Sequence, residues 1–135
     1  MRKVYQTKFG NPDGPEEKIG NCYPACVATI LGKELHEVPH FYATGYEWWD
    51  ILGWAKEHGY SLLPFDLPIP DEWAQVFEGE LAIVSGPSPR FEDGTMHAVV
   101  GRMTRKGWEL IHDPHPEGDG FSAPAVCVEI VFRRA

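Results

Sequence analysis

Apolar residues in the first half of the chain recur at the spacing of an α-helix. Within residues 22–31 the apolar positions are Cys22, Cys26, Val27, Ile30 and Leu31. This pattern predicts a helix, which Asn21 is placed to cap and Gly32 to end. A second amphipathic helix is predicted over residues 46–58, directly before the stop signal Gly59. The N-terminal half is therefore expected to be mainly helical.

After Gly59 the pattern favours extended structure, interrupted by one short helix. The predicted strands, rich in β-branched and aromatic residues, cover residues 60–65, 81–85, 95–103, 107–112 and 125–132. A short helix is predicted over 71–77, and the brief connection at 104–106 makes the strands on either side of it a hairpin. Helices first and antiparallel strands second indicate an α+β fold, with N-terminal helices packed on a C-terminal antiparallel β-sheet.

The size and charge of the chain narrow the class of protein. It has 135 residues and a formal net charge of -8, from 12 Lys and Arg against 20 Asp and Glu. This is the length of a single domain, residues 1–135, whose core needs no metal or disulfide, so no cofactor is expected. The acidic balance disfavours nucleic acid and anionic membranes as partners, because both require clustered cationic side chains.

The cysteine content indicates a reducing compartment. Cys22, Cys26 and Cys127 are an odd number of cysteines, and no signal peptide precedes them. No stretch of the sequence approaches the 18 or more apolar residues of a membrane span. The chain is therefore expected to be cytoplasmic, neither exported nor inserted in a membrane.

Three residues of this predicted map have the chemistry of a catalytic triad. Cys22 opens the first helix, His97 lies within one strand, and Asp113 ends the next strand. Neighbouring antiparallel strands can place His97 beside Asp113, and a helix packed on that sheet can bring Cys22 to the same point. The sequence therefore predicts a Cys–His–Asp triad.

Each of these residue types suits its position. A thiol is a strong nucleophile only as a thiolate, which the N-terminus of a helix and a neighbouring imidazolium stabilise. His97 would accept and return a proton, and Asp113 would orient the imidazole ring. Pro114 disfavours a helical conformation at Asp113, so the carboxylate is expected to project from the end of a strand.

The segments around these residues resemble a known family. They read GNCYPACVATILG at 20–32, MHAVV at 96–100 and LIHDP at 110–114. In order and relative position they are similar to papain-like cysteine peptidases of the C39 type, in particular small stand-alone proteins of bacteria and phages. The resemblance implies a papain-like fold, a thioester intermediate and a peptide or protein substrate.

The resemblance also implies a role for a glutamine. C39-like peptidases form the oxyanion hole with a glutamine upstream of the cysteine, and Gln6 is the only glutamine before Cys22. The role is therefore carried over to Gln6. In most members of the family the glutamine lies much nearer to the cysteine, whereas here the turn-rich loop 10–20 intervenes.

Other cysteines and histidines leave an alternative, a zinc site. Cys22 and Cys26 lie one helical turn apart, and His112 and His115 flank Asp113. A pair spaced His-x2-His is shorter than the usual histidine pair, so zinc is disfavoured. His112 and His115 are instead expected to line a cleft or face solvent. Cys26 is expected in the core and Cys127 to be an ordinary strand residue.

Two functional hypotheses remain open. The first is a cysteine hydrolase acting on peptide or other amide bonds, in which Trp49 is buried and Trp48 forms a wall of the substrate groove. The second is a catalytically silent papain-like module that holds a peptide or a host protein partner. Placement of Cys22 and His97 within hydrogen-bond reach would favour the enzyme.

Overall fold

Three helices and five strands follow one another in the predicted order. The computed structural model describes residues 1–134. The helices are Cys22–Leu31 (α1), Trp48–Glu57 (α2) and Asp71–Phe77 (α3). The strands are Tyr60–Asp66 (β1), Leu81–Pro87 (β2), Met96–Thr104 (β3), Gly107–His112 (β4) and Cys127–Arg133 (β5). The α+β prediction is confirmed at this level, with one five-stranded antiparallel sheet.

The last strand of the chain, β5, lies in the interior of the sheet, between β1 and β2. The strand order is β1-β5-β2-β3-β4, and all neighbours are antiparallel. The predicted β3–β4 hairpin is present, with Thr104 opposite Gly107. Because the two strands of a hairpin run in opposite directions, the start of β3 and the end of β4 lie at the same end of the sheet.

Helix α1 is buried along most of its length and packs on β3 and β2. It ends at Gly32, whose left-handed backbone (φ 69°) lets its N–H bond to the carbonyl of Ala28. Cys26 is fully buried in α1, as predicted. The N-terminal residue of this helix, Cys22, is thereby held against the sheet.

The apolar core lies on both faces of the sheet. The cluster under α1 and α2 is built around Cys26, Phe41, Ile51, Ile83 and Val100. The cluster on the other face is built around Phe77, Val84, Val99, Met103 and Val128. Within residues 1–134 no helix has the length and apolar character that a membrane crossing requires.

The prediction that Trp49 is buried was wrong, because Trp49 lies on the side of α2 opposite the buried face. Ile51 and Ala55, one turn apart, are the buried residues of α2. At about 100° per residue, Trp49 lies almost opposite Ile51, and its side chain is 78% exposed. Trp48 lies closer to the buried face and packs against the core instead of forming a groove wall.

Candidate active site

His97 and Asp113 form a buried ion pair at the shared end of β3 and β4. Nε2 of His97 lies 2.7 Å from Oδ1 of Asp113, and each side chain is 4% exposed. The backbone N–H groups of His115 and Gly120 also donate to this carboxylate, at 2.9 and 2.8 Å. Burial raises the pKa of Asp113, but the three hydrogen bonds outweigh it and the pKa is lowered.

Cys22 and His97 line the same two depressions. Burial lowers the pKa of His97, but the hydrogen bond to Asp113, the nearby Cys22 and the charges of both groups raise it to about 9. The ring is therefore protonated at neutral pH. Asp113 occupies Nε2, which leaves Nδ1 as the ring nitrogen not used by the carboxylate. The half-buried Cys22 thiol lies in the same depressions as this ring.

The start of α1 adds a second source of positive potential at the thiol. Cys22 is the first residue of α1. The first amides of a helix have no partner within it and carry a partial positive charge. A negative charge on sulfur or on a substrate oxygen is stabilised at this position.

Asn21 joins this helix start to the N-terminal segment. Its Oδ1 accepts hydrogen bonds from the backbone N–H groups of Thr7 and Lys8, both at 2.9 Å. Asn21 is the N-cap residue of α1, as predicted, and its carbonyl accepts from the N–H of Ala25, but its side chain makes no bond to the helix. The Asn21 oxygen is already occupied by the amides of Thr7 and Lys8, and these bonds hold the N-terminal segment against the start of α1.

Gln6 is consequently anchored beside the His97–Asp113 pair. Its backbone N–H donates to the carbonyl of Pro114 at 3.0 Å, directly after Asp113. Its side chain is buried, and Nε2 donates to the carbonyl of Lys8 at 2.9 Å. Oε1 has no hydrogen-bond partner among the described residues. Gln6, Cys22 and His97 line the same depression.

The loop between Gln6 and Cys22 is closed at its base. The N–H of Gly10 donates to Lys18 at 2.7 Å, and that of Gly20 to Gly10 at 2.9 Å. A Cβ atom on Gly10 would lie 2.2 Å from the carbonyl oxygen of Lys18, so this closure requires glycine. Because the two ends of the loop are bonded to each other, Gln6 lies close to Cys22 although the two residues are far apart in the sequence.

An aromatic ring covers the His97–Asp113 pair. Phe121 approaches His97 edge-on, with 6.2 Å between the ring centroids. It lies directly on Gly86, the residue of β2 opposite His97, where a Cβ would be 2.8 Å from Cγ of Phe121. The ring helps to keep water from the ion pair. Nothing in the sequence pattern singles out Gly86 or Phe121.

Two depressions meet at the thiol. The larger has a volume of about 360 Å³, and the smaller about 50 Å³. Both are lined by Cys22, Met96 and His97; Tyr23 and Tyr42 line only the larger, while the smaller adds Gln6, Ser88, Arg90 and His115.

The predicted environment of His112 was wrong, whereas His115 does line the cleft. Nε2 of His112 lies 2.6 Å from the carbonyl oxygen of Val4, and the side chain is buried away from both depressions. His115 lines the smaller one. In the described part of the chain, no three His, Cys, Asp or Glu side chains are grouped as metal ligands.

Sequence reasoning missed a second polar group near the site. Tyr23 of α1 donates a short hydrogen bond to Oε1 of Glu129 in β5. Burial raises the pKa of Glu129 to about 7, although the bond from Tyr23 opposes the shift. Burial also raises the pKa of the neighbouring Tyr42 to about 12, with a contribution from the charge of Glu129. Cys127, at the start of β5, is half-buried beside this group.

No family model matches this chain, and no curated protein or solved structure is detectably similar to it. The chemistry of the site is therefore inferred from the geometry of its own residues. The most informative arrangement among the described residues is a protonated histidine that bonds to a carboxylate and lines the same depressions as a cysteine at the start of a buried helix.

Proposed function

We propose that this protein is a cysteine hydrolase with a papain-like, C39-like fold that cleaves peptide or related amide bonds. The observation that carries the proposal is that His97 bonds to Asp113 at 2.7 Å and lines the same two depressions as Cys22, the first residue of α1. A helix that begins at the nucleophile and packs on an antiparallel sheet carrying the histidine supports the papain-like assignment.

The geometry supports acyl transfer through a thioester. With the thiol proton already transferred to His97, the Cys22 thiolate attacks the substrate carbonyl carbon and forms a C–S bond, and the carbonyl electron pair moves onto oxygen. When the tetrahedral intermediate collapses, the C–N bond breaks and the His97 imidazolium gives its proton to the leaving amine. Neutral His97 then takes a proton from water as the water oxygen attacks the thioester. When this second tetrahedral intermediate collapses, the C–S bond breaks, the acid is released and Cys22 leaves as a thiolate beside the His97 imidazolium.

The oxyanion of each tetrahedral intermediate needs hydrogen-bond donors. The proposed donors are the backbone N–H of Cys22 and an Nε2 N–H of Gln6. One Nε2 hydrogen of Gln6 bonds to Lys8, which leaves the second for a ligand. Asp113 keeps the imidazole ring oriented throughout, since its own pKa is lowered and it stays ionised.

The alkylation kinetics of Cys22 test this proposal without a known substrate. The native protein is treated with limiting iodoacetamide across pH 5 to 9, and modification of each cysteine is followed by mass spectrometry. The variants are His97→Ala and, as a matched control, His36→Ala at an exposed position. We expect Cys22 to label rapidly even at low pH, and to label more slowly only in His97→Ala.

Cys127, half-buried in the same protein, is the internal reference thiol. If Cys22 reacts no faster than Cys127, or equally fast with and without His97, the sulfur is not activated and the hydrolase proposal fails. In that case the depressions around Cys22 are better explained as the peptide-binding surface of a catalytically silent papain-like module.

A further inference from the structure

The smaller depression beside Cys22 has a cationic side chain and no anionic one. Arg90 is the only Lys or Arg that lines it, and no Asp or Glu among residues 1–134 does so. This is unusual in a chain whose formal net charge is -8. The local charge is therefore opposite to that of the whole protein.

The guanidinium of Arg90 has unused hydrogen-bonding capacity. Nη1 is buried and has no hydrogen-bond partner in the described part of the chain. Its ion-pair partner is Asp119, whose Oδ2 lies 3.7 Å away, beyond hydrogen-bond distance, on a side chain that is 52% exposed. Buried N–H groups of an arginine are normally paired, so an unpaired one at a depression points to a ligand.

Arg90 is held beside the triad by a short turn after β2. The backbone N–H of Arg90 donates to Oγ of Ser88 at 3.2 Å, and Ser88 is buried. The N–H of Ser88 donates to the carbonyl of Thr95 at 2.9 Å, immediately before β3. The turn is thus tied to the strand that carries His97, which limits how far the guanidinium can move from the thiol.

The shape and remaining polar groups favour a small planar anion. The depression has a volume of only about 50 Å³, and a guanidinium pairs best with a carboxylate through two parallel hydrogen bonds. Burial and the charge of Arg90 lower the pKa of His115, which also lines the depression. His115 is therefore a neutral hydrogen-bonding group here, and the cationic side chains that line the depression are Arg90 and the protonated His97.

We propose that Arg90 binds a carboxylate of the substrate close to the scissile bond. This inference rests on the proposed hydrolase function and adds its substrate class: acyl compounds with either a free C-terminal carboxylate or an acidic side chain next to the bond that is cleaved. Arg90 is a specificity-determining residue in this scheme and takes no part in proton transfer.

Three alkylating reagents that carry the same bromoacetyl electrophile test the inference. They are N-bromoacetyl-glycinamide, which is neutral, N-bromoacetyl-glycine, with a terminal carboxylate, and N-bromoacetyl-glutamic acid α-amide, with an acidic side chain. In each, the Cys22 sulfur forms a bond to the methylene carbon and bromide leaves. The measured quantity is the rate of each acidic reagent divided by that of the neutral one.

We expect Arg90→Gln to lower this ratio by about threefold or more, the size expected for a partly exposed charge pair. Asp119→Asn, which removes the competing carboxylate, should raise it. Arg105→Gln makes the same change of charge at the far end of the β3–β4 hairpin and should leave it unchanged. A ratio that is insensitive to Arg90 and Asp119, or equally sensitive to Arg105, would overturn the inference.

The reagents also distinguish a free C-terminal carboxylate from an acidic side chain. In addition, they distinguish failure of the proposed substrate class from failure of the hydrolase proposal. An Arg90-dependent preference for the glycine reagent indicates a free C-terminus, and one for the glutamate reagent indicates an acidic side chain. If Cys22 reacts rapidly in a His97-dependent manner without any Arg90-dependent preference, only the substrate class is wrong. If Cys22 is inert to all three reagents, the hydrolase proposal itself fails.

Discussion

His97 and Asp113 share one face of the β3–β4 hairpin because the pairing register shifts by one residue between them and the turn. Gly101 pairs with Leu110, but the next residue of β3, Val100, pairs with His112. An uninterrupted ladder would place Asp113 opposite Ala98, and its side chain on the face away from His97. The extra residue of β4 turns Asp113 towards His97, where the 2.7 Å bond forms.

The buried pair should make stability depend on pH in a defined direction. The pKa of His97 is raised from 6.5 to about 9, so the pair stabilises the fold fully below pH 6.5 and loses this contribution as the pH rises through 9. Asp113→Asn should therefore lower the free energy of unfolding by about 3 kcal/mol at pH 6 and by less at pH 9.5. Thermal or denaturant unfolding at both pH values checks this, and a loss that is equal at both would contradict it.

Gln6 should matter only for reactions that develop an oxyanion. Acylation of Cys22 by p-nitrophenyl acetate passes through a tetrahedral intermediate, whereas alkylation by iodoacetamide does not. In Gln6→Ala the loss of acylation rate should exceed any loss of alkylation rate by about 100-fold, the effect of removing one oxyanion donor. Equal losses in both reactions would show that Gln6 only supports the local structure.

The close contact between Gly86 and Phe121 should tolerate no side chain. A Cβ at Gly86 would lie 2.8 Å from the Phe121 ring, so Gly86→Ala should lower the free energy of unfolding by about 1–3 kcal/mol. It should also slow Cys22 alkylation, because the displaced ring admits water to the His97–Asp113 pair.

Gly53→Ala is the matched control for this substitution. Gly53 lies within α2, and no atom is within 4 Å of a Cβ placed there. The same change should therefore raise the free energy of unfolding by up to about 1 kcal/mol, since alanine favours helix over glycine. Destabilisation by Gly53→Ala of the same size as by Gly86→Ala would mean that the contact with Phe121 is not the cause.

Glu129 should oppose folding at alkaline pH. Burial raises its pKa from 4.5 to about 7, so the folded state favours the protonated form and loses stability as the pH rises from 4.5 to 7. Glu129→Gln keeps an acceptor for Tyr23 and removes the charge. The variant should gain at least about 1 kcal/mol over the wild type at pH 8 relative to pH 5.

Denaturant unfolding of Glu129→Gln and of the control Glu109→Gln, at an exposed position of β4, measures this difference. A stabilisation of Glu129→Gln that is the same at pH 5 and pH 8, or one that Glu109→Gln reproduces, would contradict the titration of Glu129 described above.

The chain's short-range pattern accounts for most of its elements. Helix α1 occupies the predicted residues 22–31, and the short helix α3 the predicted residues 71–77. The two strands of the hairpin were found within one residue of their predicted ends. Helical periodicity, turn-forming residues and strand alternation depend on neighbours within a few positions, so they can be read from consecutive residues.

Features that depend on the angle of a side chain around its element were less predictable. Trp49 and Ile51 are both apolar residues of α2, and only the packing of α2 on the core decides that Ile51 is buried and Trp49 exposed. Asn21 is a good helix cap by its chemistry, but the amides of Thr7 and Lys8 compete for its oxygen. Such choices depend on partners that the local sequence does not contain.

The sequence by itself determined the helices and strands and which residues could be a nucleophile, a base and its orienting acid. Only the tertiary structure decided their arrangement: the register shift that turns Asp113 to His97, the closed loop that returns Gln6 to Cys22, and the position of Arg90, whose Nη1 has no hydrogen-bond partner among the described residues. The physical reason is the separation along the chain over which each kind of interaction acts. Backbone preferences act over a few residues, whereas the site is made by pairing and burial of residues far apart in the chain, whose register and facing are set by the packed core as a whole.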